Sequence, residues 1–345
     1  MSEAVPSGVA SGVKRAARLR LRGLENLLVP SFTPDLRALD EPGIRLDVRQ
    51  SIRHGCCATA LALEARLSRA EQQRFMRIAC DEAQGRIAVG IVLSAPVRSE
   101  AVELLSCAAQ AGISHVHLGV PQGFAPRSDA ELVGYLSSIL EAAPLPVLLL
   151  GERLAFPQLH ASGLPIEAIE QLADQPSIIG LDLPSLDSGL IAECCERFGE
   201  RLLVSSPHLG LLPMLVQNFN VQLSGPWGVE GLQSPAQRHA VSFFEMLLGG
   251  RASEAMTLYW RLAPALGAMA RVAASFAHTG AQHWPLLKYQ QWLSGGNGGL
   301  TRQPVMRLFQ RDMQLVRGAL AAVGVSCAQP DAAFFAGRQG REPSA

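Results

Sequence analysis

Between residues 27 and 225 the chain alternates short apolar runs with longer stretches of helical periodicity. The short runs are apolar at nearly every position, a pattern typical of strands that are buried on both faces of a parallel sheet. We predict eight strands: Leu27–Pro30, Ala58–Leu63, Ala88–Leu93, His115–Val120, Val147–Leu150, Ile178–Asp182, Leu202–Ser206 and Val221–Ser224.

Helical segments separate these runs and are long enough to return the chain to the other end of a sheet. Ser68 and Glu71 have the spacing of a capping box, and Gly112 has the place of a helix C-cap. The clearest helices are Arg69–Gln84, Ser99–Ala111 and Ser128–Ala142. Eight strands with eight crossovers predict an α/β fold, a closed (β/α)8 TIM barrel. An open doubly wound sheet is less favoured, because no Gly-x-Gly-x-x-Gly follows the first strand.

After Pro235 only helical patterns remain. They predict helices over His239–Leu248, Ser253–Phe276, Trp284–Leu293 and Pro304–Val323. We therefore expect an N-terminal helical segment over 1–25, the barrel over 26–250, a C-terminal helical extension over 251–325 and a flexible tail over 326–345.

Composition narrows the class of protein. The 345 residues are 48% hydrophobic and 17% charged, with 30 basic and 30 acidic residues, which excludes a disordered chain and a nucleic-acid-coating protein. Seven cysteines without a Cys-x-x-Cys spacing, and no apolar signal segment, predict a reduced cytoplasmic protein without structural zinc.

No apolar run approaches the roughly 20 residues that a membrane-spanning helix needs, so we expect no membrane partner. The basic segment Val13–Leu27 has two interpretations, a membrane or targeting helix and a solvated N-terminal helix, and its helical spacing of apolar residues favours the second.

Several short pieces, read in order, resemble the dihydrodipicolinate synthase and N-acetylneuraminate lyase family of class I aldolases. The matching pieces are Pro30-Ser31-Phe32-Thr33-Pro34 with Asp40, Glu64 with Leu67-Ser68 and Glu71, Ala111-Gly112, Pro121, Leu145-Pro146-Val147, Ile179-Gly180, Leu211-Leu212-Pro213, Leu287-Lys288 and Arg302-Gln303-Pro304. The resemblance implies a barrel with C-terminal helices and a lyase that handles a small 2-oxo acid such as pyruvate.

The family's catalytic positions carry other residues in this chain. The resemblance implies a Schiff-base lysine at the end of strand six, where this sequence has Asp182, and a carboxylate can neither attack a carbonyl as an amine nor accept electrons as an imine. Lys14 and Lys288 are the only lysines, and the resemblance places Lys288 in a helix, where a surface or interdomain ion pair is its expected role. The proton-relay threonines and tyrosines of the family fall at Leu61, Ala62, Leu150 and Gln122 or Gly123, and its substrate-binding arginine falls near Ala155, beside Arg153.

In a barrel the functional residues follow the carboxyl ends of the strands. We predict Asp182, Glu64 and His208 as catalytic residues, forming an acid–base pair or, less favoured, an oxygen-rich metal site; the alternative is that they are rim residues that satisfy one another. The predicted substrate-binding residues are Thr33, Arg153, Ser206 and Gly225. No local ligand motif supports a metal, so we predict neither a metal nor a cofactor.

Two other patterns have a functional and a structural interpretation. His115 and His117 share one face of strand four and would suit metal chelation, but buried, hydrogen-bonded imidazoles beneath a helix are favoured. The glycine-rich stretch 295–299 lacks a following Lys-Ser/Thr, so a helix cap and turn is favoured over a phosphate loop.

Three functions fit the sequence: a lyase that acts on a small 2-oxo acid without a Schiff base, a catalytically retired barrel that binds a metabolite or a protein, and an ordinary Schiff-base enzyme. The residues argue against the third. The expected partner is a small 2-oxo acid or related metabolite rather than nucleic acid, and the resemblance implies a homo-oligomer, a dimer or tetramer.

Overall fold

Eight parallel strands form a closed barrel in the order β1 to β8, which confirms the predicted (β/α)8 fold. The structure, a computed structural model, describes residues 7–94, 97–121, 123–226, 232–277, 282–302 and 307–342. The strands are β1 Gly23–Leu28, β2 Ala58–Ala62, β3 Ala88–Leu93, β4 His115–Leu118, β5 Val147–Leu150, β6 Ile178–Asp182, β7 Leu203–Ser205 and β8 Leu223–Ser224.

Three strand predictions, for β3, β5 and β6, are correct to the residue. The largest error is at β1, which begins four residues before the predicted Leu27. Its polar residues Glu25 and Asn26 are both buried in the structure, at 0% and 4% exposure. A buried polar pair breaks the apolar run that marks a parallel strand, and for that reason the sequence pattern missed the first half of β1.

The helices of the described chain are α1 Ser7–Arg20, α2 Glu41–Arg53, α3 Arg69–Ala83, α4 Arg98–Ala111, α5 Asp129–Leu140, α6 Ile166–Ala173, α7 Ser188–Phe198, α8 Leu212–Phe219, α9 His239–Leu248, α10 Ala252–Ala277, α11 Trp284–Leu293, α12 Gln310–Ala321 and α13 Ala332–Ala336. The predicted capping box of α3 is present, with Ser68 and Glu71 each satisfying a backbone N–H of the other. Gly112 ends α4 in the left-handed conformation at φ 91°. The predicted helix over 304–323 begins later, at Gln310, and residues 303–306 lie outside the described residues.

The chain divides into two compact units. Unit 1 comprises Met1–Gly23 and Ala88–Gly225, and unit 2 comprises Leu24–Ile87 and Pro226–Ala345. None of the described helices is long and apolar enough to cross a membrane.

In unit 1, the basic side chains of α1 bind carbonyl oxygens at the ends of two other helices. Lys14 Nζ donates to Ala173 O at 2.7 Å, where α6 ends. Arg18 donates to three carbonyls just beyond α7, those of Gly199, Glu200 and Leu202, at 2.8 to 3.1 Å. Cationic groups at helix C-termini satisfy the free carbonyls and favour the helix dipole. One face of α1 is thus bound to its neighbours, whereas Arg15, Leu19 and Arg20 are exposed, which agrees with a solvated helix that has one covered face.

In unit 2, the C-terminal residues pack against α11, which corrects the expectation of a flexible tail over its described part. Phe334 of α13 is buried and its ring lies edge-on to Trp292, with centroids 5.9 Å apart. Arg338 is also buried and donates to Trp292 O at 3.0 Å. Gly, Arg and Pro made this segment look loose in sequence, but one buried aromatic and one buried guanidinium fix it.

Candidate functional site

Strand β6 ends at Asp182, a carboxylate in the interior of unit 1. Its side chain is 1% exposed. Ser205 Oγ donates a hydrogen bond to Oδ1, and His117 Nδ1 forms a hydrogen bond with Oδ2. We name Asp182, His117 and Ser205 the Asp–His–Ser cluster.

Strand register explains why these three side chains meet. Ser205 is the residue of β7 directly beside Asp182. His117 comes from β4, two strands away, and inward-facing side chains of alternate strands share a layer in a barrel of this kind. The imidazole is therefore placed to reach Asp182 past β5 without any contribution from a loop.

A second imidazole lies beside the cluster. The rings of His115 and His117 are 5.2 Å apart and edge-to-face, and His115 Nδ1 is 2.8 Å from Ser114 Oγ. Gly90 is the register partner of His115 on β3, and a side chain there would collide with the imidazole. Glycine at this position of β3 thus makes room for His115.

The hydrogen bonds define a direction for proton movement. With Asp182 ionised, its carboxylate accepts from the Ser205 hydroxyl and from the Nδ1–H of His117. That tautomer makes Nε2 the basic nitrogen of His117. A carboxylate that orients an imidazole in this way is the arrangement used for general acid–base chemistry.

The other predicted site residues of unit 1 lie in the loops after the strands. His208 and Ser206 share the turn after β7, where His208 N donates to Ser206 Oγ at 3.4 Å and the His208 ring bonds Pro184 O at 2.8 Å. Gly225 is buried after β8, and Arg153 lies in a short 3-10 turn after β5. None of these four residues forms a direct hydrogen bond with Asp182 in the described part of unit 1.

Thr33 and Glu64 belong to unit 2. Thr33 Oγ1 donates to Asp35 Oδ1 at 2.6 Å and accepts from the backbone N–H of Ala38 at 3.2 Å, so its hydroxyl serves the loop that contains it. Glu64 is exposed after β2. The family's tyrosine position at Gln122 lies outside the described residues, and Gly123 lies beside it in a turn.

Lys288, expected in a surface or interdomain ion pair, is fully buried in unit 2. Its ammonium donates to Val29 O at 2.8 Å and to Ser31 Oγ and Asp47 Oδ2 at 2.7 Å each. These three acceptors use all three N–H groups of the ammonium. The Lys288 amine is therefore engaged by three acceptors in the interior of unit 2.

Sequence patterns predict Asp182 as a site residue, but the predicted site does not include its partners. His117 is buried and hydrogen-bonded, as the favoured interpretation predicts, although its partner is on β6 rather than beneath a helix. Metal chelation by the two imidazoles stays an alternative. The signal for the pair was present in the sequence, because His117 and Asp182 both lie on alternate strands of a barrel. Nothing in the sequence around Ser205, which precedes the predicted Ser206, indicates that it contacts Asp182.

Comparison with known proteins supports one family. The model of the dihydrodipicolinate synthetase family matches residues 56–213. A 4-hydroxy-tetrahydrodipicolinate synthase from Methanopyrus kandleri is 25% identical over 251 residues, covering 71% of this chain and 80% of that protein. An N-acetylneuraminate lyase from Clostridium perfringens is 23% identical over 221 residues, covering 62% of this chain and 74% of the lyase.

Solved structures share the fold. An N-acetylneuraminate lyase from Fusobacterium nucleatum, solved in complex with pyruvate, aligns with a TM-score of 0.69 at 16% identity and covers 87% of this chain and 96% of its own. These identities are low throughout. Residues 56–213 thus match the dihydrodipicolinate synthetase family, and the chain is similar at low identity to lyase-type relatives over a longer stretch.

Proposed function

We propose that this protein handles a small 2-oxo acid at the carboxyl-end face of its strands by acid–base chemistry, without a Schiff base. The observation that carries this proposal is Asp182 at the end of β6, engaged by His117 and Ser205. Family resemblance places the imine-forming lysine at this position. The pyruvate complex of the Fusobacterium lyase supports a 2-oxo acid as the ligand class.

Imine formation requires an unprotonated amine that can attack a carbonyl carbon. Neither lysine of the chain is suited to this step. Lys288 donates three hydrogen bonds in the interior of unit 2, and Lys14 donates to the end of α6. Burial lowers the pKa of Lys14, with Asp174 acting in the opposite direction, but its amine is committed to Ala173 O.

Lyase chemistry next to a carbonyl needs a proton to be removed from, or returned to, the carbon beside it. His117 Nε2 is the group that we assign to this transfer, and Asp182 is a positioning residue that fixes the imidazole tautomer. Arg153, Ser206, Gly225 and Thr33 remain our proposed substrate-binding residues, with Glu64 and His208 as additional acid–base candidates.

The test is exchange of the C3 protons of pyruvate with solvent deuterium, followed by proton NMR. We expect the protein to accelerate exchange above the buffer rate, and Asp182→Asn and His117→Gln to reduce that acceleration about 10²- to 10⁴-fold. Treatment with pyruvate and borohydride should leave the mass of the protein unchanged. A stable adduct on Lys14 or Lys288 would refute the absence of imine chemistry.

Complete burial of the cluster favours a second candidate, a barrel that binds a metabolite or a protein without turnover. His117 and Asp182 are 0% and 1% exposed, so a substrate reaches them only if the surrounding loops rearrange. Pyruvate binding without any acceleration of exchange would support this second function and exclude the first.

We also propose a cytoplasmic homo-oligomer, a dimer or a tetramer, from the family resemblance. Light scattering on the purified chain tests the assembly. A monomer across the micromolar range would contradict it.

A further inference from the structure

Unit 2 contains a cavity of about 230 Å3 that no step of the proposed function uses. It lies among the loop before α9, the C-terminal end of α11 and the segment after α12. Its lining includes Pro235, Leu293, Cys327, Ala328 and Arg338. Most of this surface is apolar, and Arg338 is its cationic residue.

Arg338 is 5% exposed, so its guanidinium is almost completely removed from water. Nη1 donates to the carbonyls of Trp292 and Gly296, and Nη2 donates to Cys327 Sγ at 3.3 Å. Nε is buried without a hydrogen-bond partner. Neutral groups therefore hold the guanidinium of Arg338 in place, and its Nε–H has no acceptor.

Arg338 forms no ion pair within the described part of unit 2, and Asp47, the carboxylate that acts on it electrostatically, is itself paired with Lys288. The ion pairs that the described part of unit 2 contains join other residues, for example Arg302 with Glu71 and Arg317 with Asp331. Burial is the main influence on the pKa of Arg338 and lowers it, whereas Cys327 and Asp47 act in the opposite direction. A buried guanidinium without a counter-ion is costly, whereas buried charges in proteins are ordinarily paired.

We propose that this cavity binds a small carboxylic acid, whose carboxylate supplies the missing counter-charge to Arg338. Arginine presents a planar fork that matches a carboxylate, and the apolar walls formed by residues such as Leu293 and Pro235 suit a short hydrocarbon body. Ligand sites are commonly apolar cavities with a few fixed polar groups. The volume restricts the ligand to a few carbon atoms, because it lies below the roughly 300 Å3 at which drug-sized sites begin.

This site is separate in chemistry from the Asp–His–Ser cluster. Its recognition element is a permanent cation, and none of its lining residues belongs to the proposed catalytic set. The ligand is bound unchanged, since no base or nucleophile is required of the cavity. We infer a site for an effector or a stabilising metabolite rather than a second active site.

The test compares butyrate with butyramide, which has nearly the same shape but no charge. Binding is measured by ligand-observed NMR and by tryptophan fluorescence, because the guanidinium carbon of Arg338 lies 5.1 Å from the Trp292 ring. We expect saturable binding of butyrate in the millimolar range and at least about tenfold weaker binding of butyramide, as for a charge-assisted hydrogen bond.

Two variants locate the site. Arg338→Gln removes the charge, and Ala328→Phe fills the cavity from an exposed position, so that it does not disturb the bonds of Arg338 to α11. Both should abolish butyrate binding, whereas Ala321→Phe, exposed on α12 and outside the lining, should retain it.

Asp182→Asn is the control that separates this proposal from the proposed function, and it should leave butyrate binding unchanged. Equal affinity for butyrate and butyramide would overturn the proposal. So would an absence of saturable binding, persistence of binding in Ala328→Phe, or its loss in Asp182→Asn.

Discussion

Asp47 in unit 2 and Asp182 in unit 1 are buried carboxylates that accept several hydrogen bonds, and their partners differ in chemistry. Asp47 in unit 2 accepts from the Lys288 ammonium, the Ser31 hydroxyl and the backbone N–H of Asn297. Asp182 in unit 1 accepts from an imidazole and a hydroxyl. Both clusters are almost completely removed from solvent.

The surroundings of Asp47 and Asp182 differ in the chemistry of the nitrogen donor, which is an ammonium in one and an imidazole in the other. The Lys288 ammonium donates to three acceptors and provides the counter-charge of a buried carboxylate, Asp47. An imidazole exists in two tautomers and gains or loses a proton near neutral pH in ordinary surroundings. Burial alone therefore does not distinguish a structural ion pair from a site of acid–base chemistry. The residue that pairs with the carboxylate makes this distinction.

The largest expected effect on stability is at the buried pair of Lys288 and Asp47. Lys288→Met should lower the free energy of unfolding by about 3–5 kcal/mol, because it leaves Asp47 buried with no compensating cation. Urea unfolding followed by circular dichroism measures the change. Adding Asp47→Leu to Lys288→Met should restore a large part of the loss, since the isolated charge disappears. A loss below about 1 kcal/mol for Lys288→Met would equal that of an ordinary surface ion pair. It would contradict the structural role that we assign to the buried pair.

A substitution in the Asp–His–Ser cluster should change stability less, and activity more, than one at Lys288. Asp182→Asn keeps the size of the side chain and still accepts from Ser205, so we expect a loss of about 1–3 kcal/mol in the same unfolding measurement. Deuterium exchange into pyruvate should nevertheless fall to the buffer rate. Asp81→Asn, an exposed carboxylate change, serves as the control and should alter neither quantity. Wild-type exchange in the Asp182→Asn protein would show that the cluster is structural like its counterpart in unit 2.

A buried imidazole in unit 2, that of His54, makes the stability of the protein depend on pH. Burial lowers the pKa of His54 from 6.5 to about 4, while its hydrogen bond to Ser294 O acts in the opposite direction. The unfolded chain therefore binds more protons between these two pH values, and stability falls as the pH drops from 6.5 towards 4. At pH 5 this contribution is about 1–2 kcal/mol.

His54→Gln should reduce the acid sensitivity of unfolding without removing the donor to Ser294 O. Stability curves of the two proteins between pH 7 and pH 5 should converge as the pH falls. An identical pH dependence in both would mean that His54 is already protonated in the folded state.

The smallest effect is expected where no charge is buried. Ser68→Ala removes the hydroxyl of the α3 capping box and should cost about 1 kcal/mol, measured by the same urea unfolding. This exposed change sets the baseline against which the two buried clusters are judged. A cost equal to that of Lys288→Met would show that hydrogen-bond loss, rather than the isolated charge, determines both results.

Sequence patterns predicted the barrel well because its parallel strands are apolar on both faces and its helices have ordinary caps. They failed at β1, where buried Glu25 and Asn26 interrupt the apolar run. They also failed at the C-terminus, where Arg338 is fixed by carbonyls contributed from distant positions in the sequence. Long-range polar contacts leave no periodic signal in the chain.

The candidate site was predictable only in part. Asp182 could be found because it closes a clear strand, and the family resemblance marked its position. Its partnership with His117 depends on the geometry of alternate strands, and its partnership with Ser205 depends on exact register between β6 and β7. The spacing of residues within one strand indicates neither the contact of Asp182 with His117 nor its contact with Ser205.

The attachment of α1 has a practical consequence for shortened versions of this protein. A truncated chain that begins at β1 would leave the carbonyl oxygens of Ala173, Gly199, Glu200 and Leu202 without the donors that Lys14 and Arg18 provide. It would also uncover the apolar cavity of about 250 Å3 that Val13, Ala17 and Leu21 line together with Pro146 and Ile179. Such a protein is expected to aggregate even though every strand of the barrel remains intact.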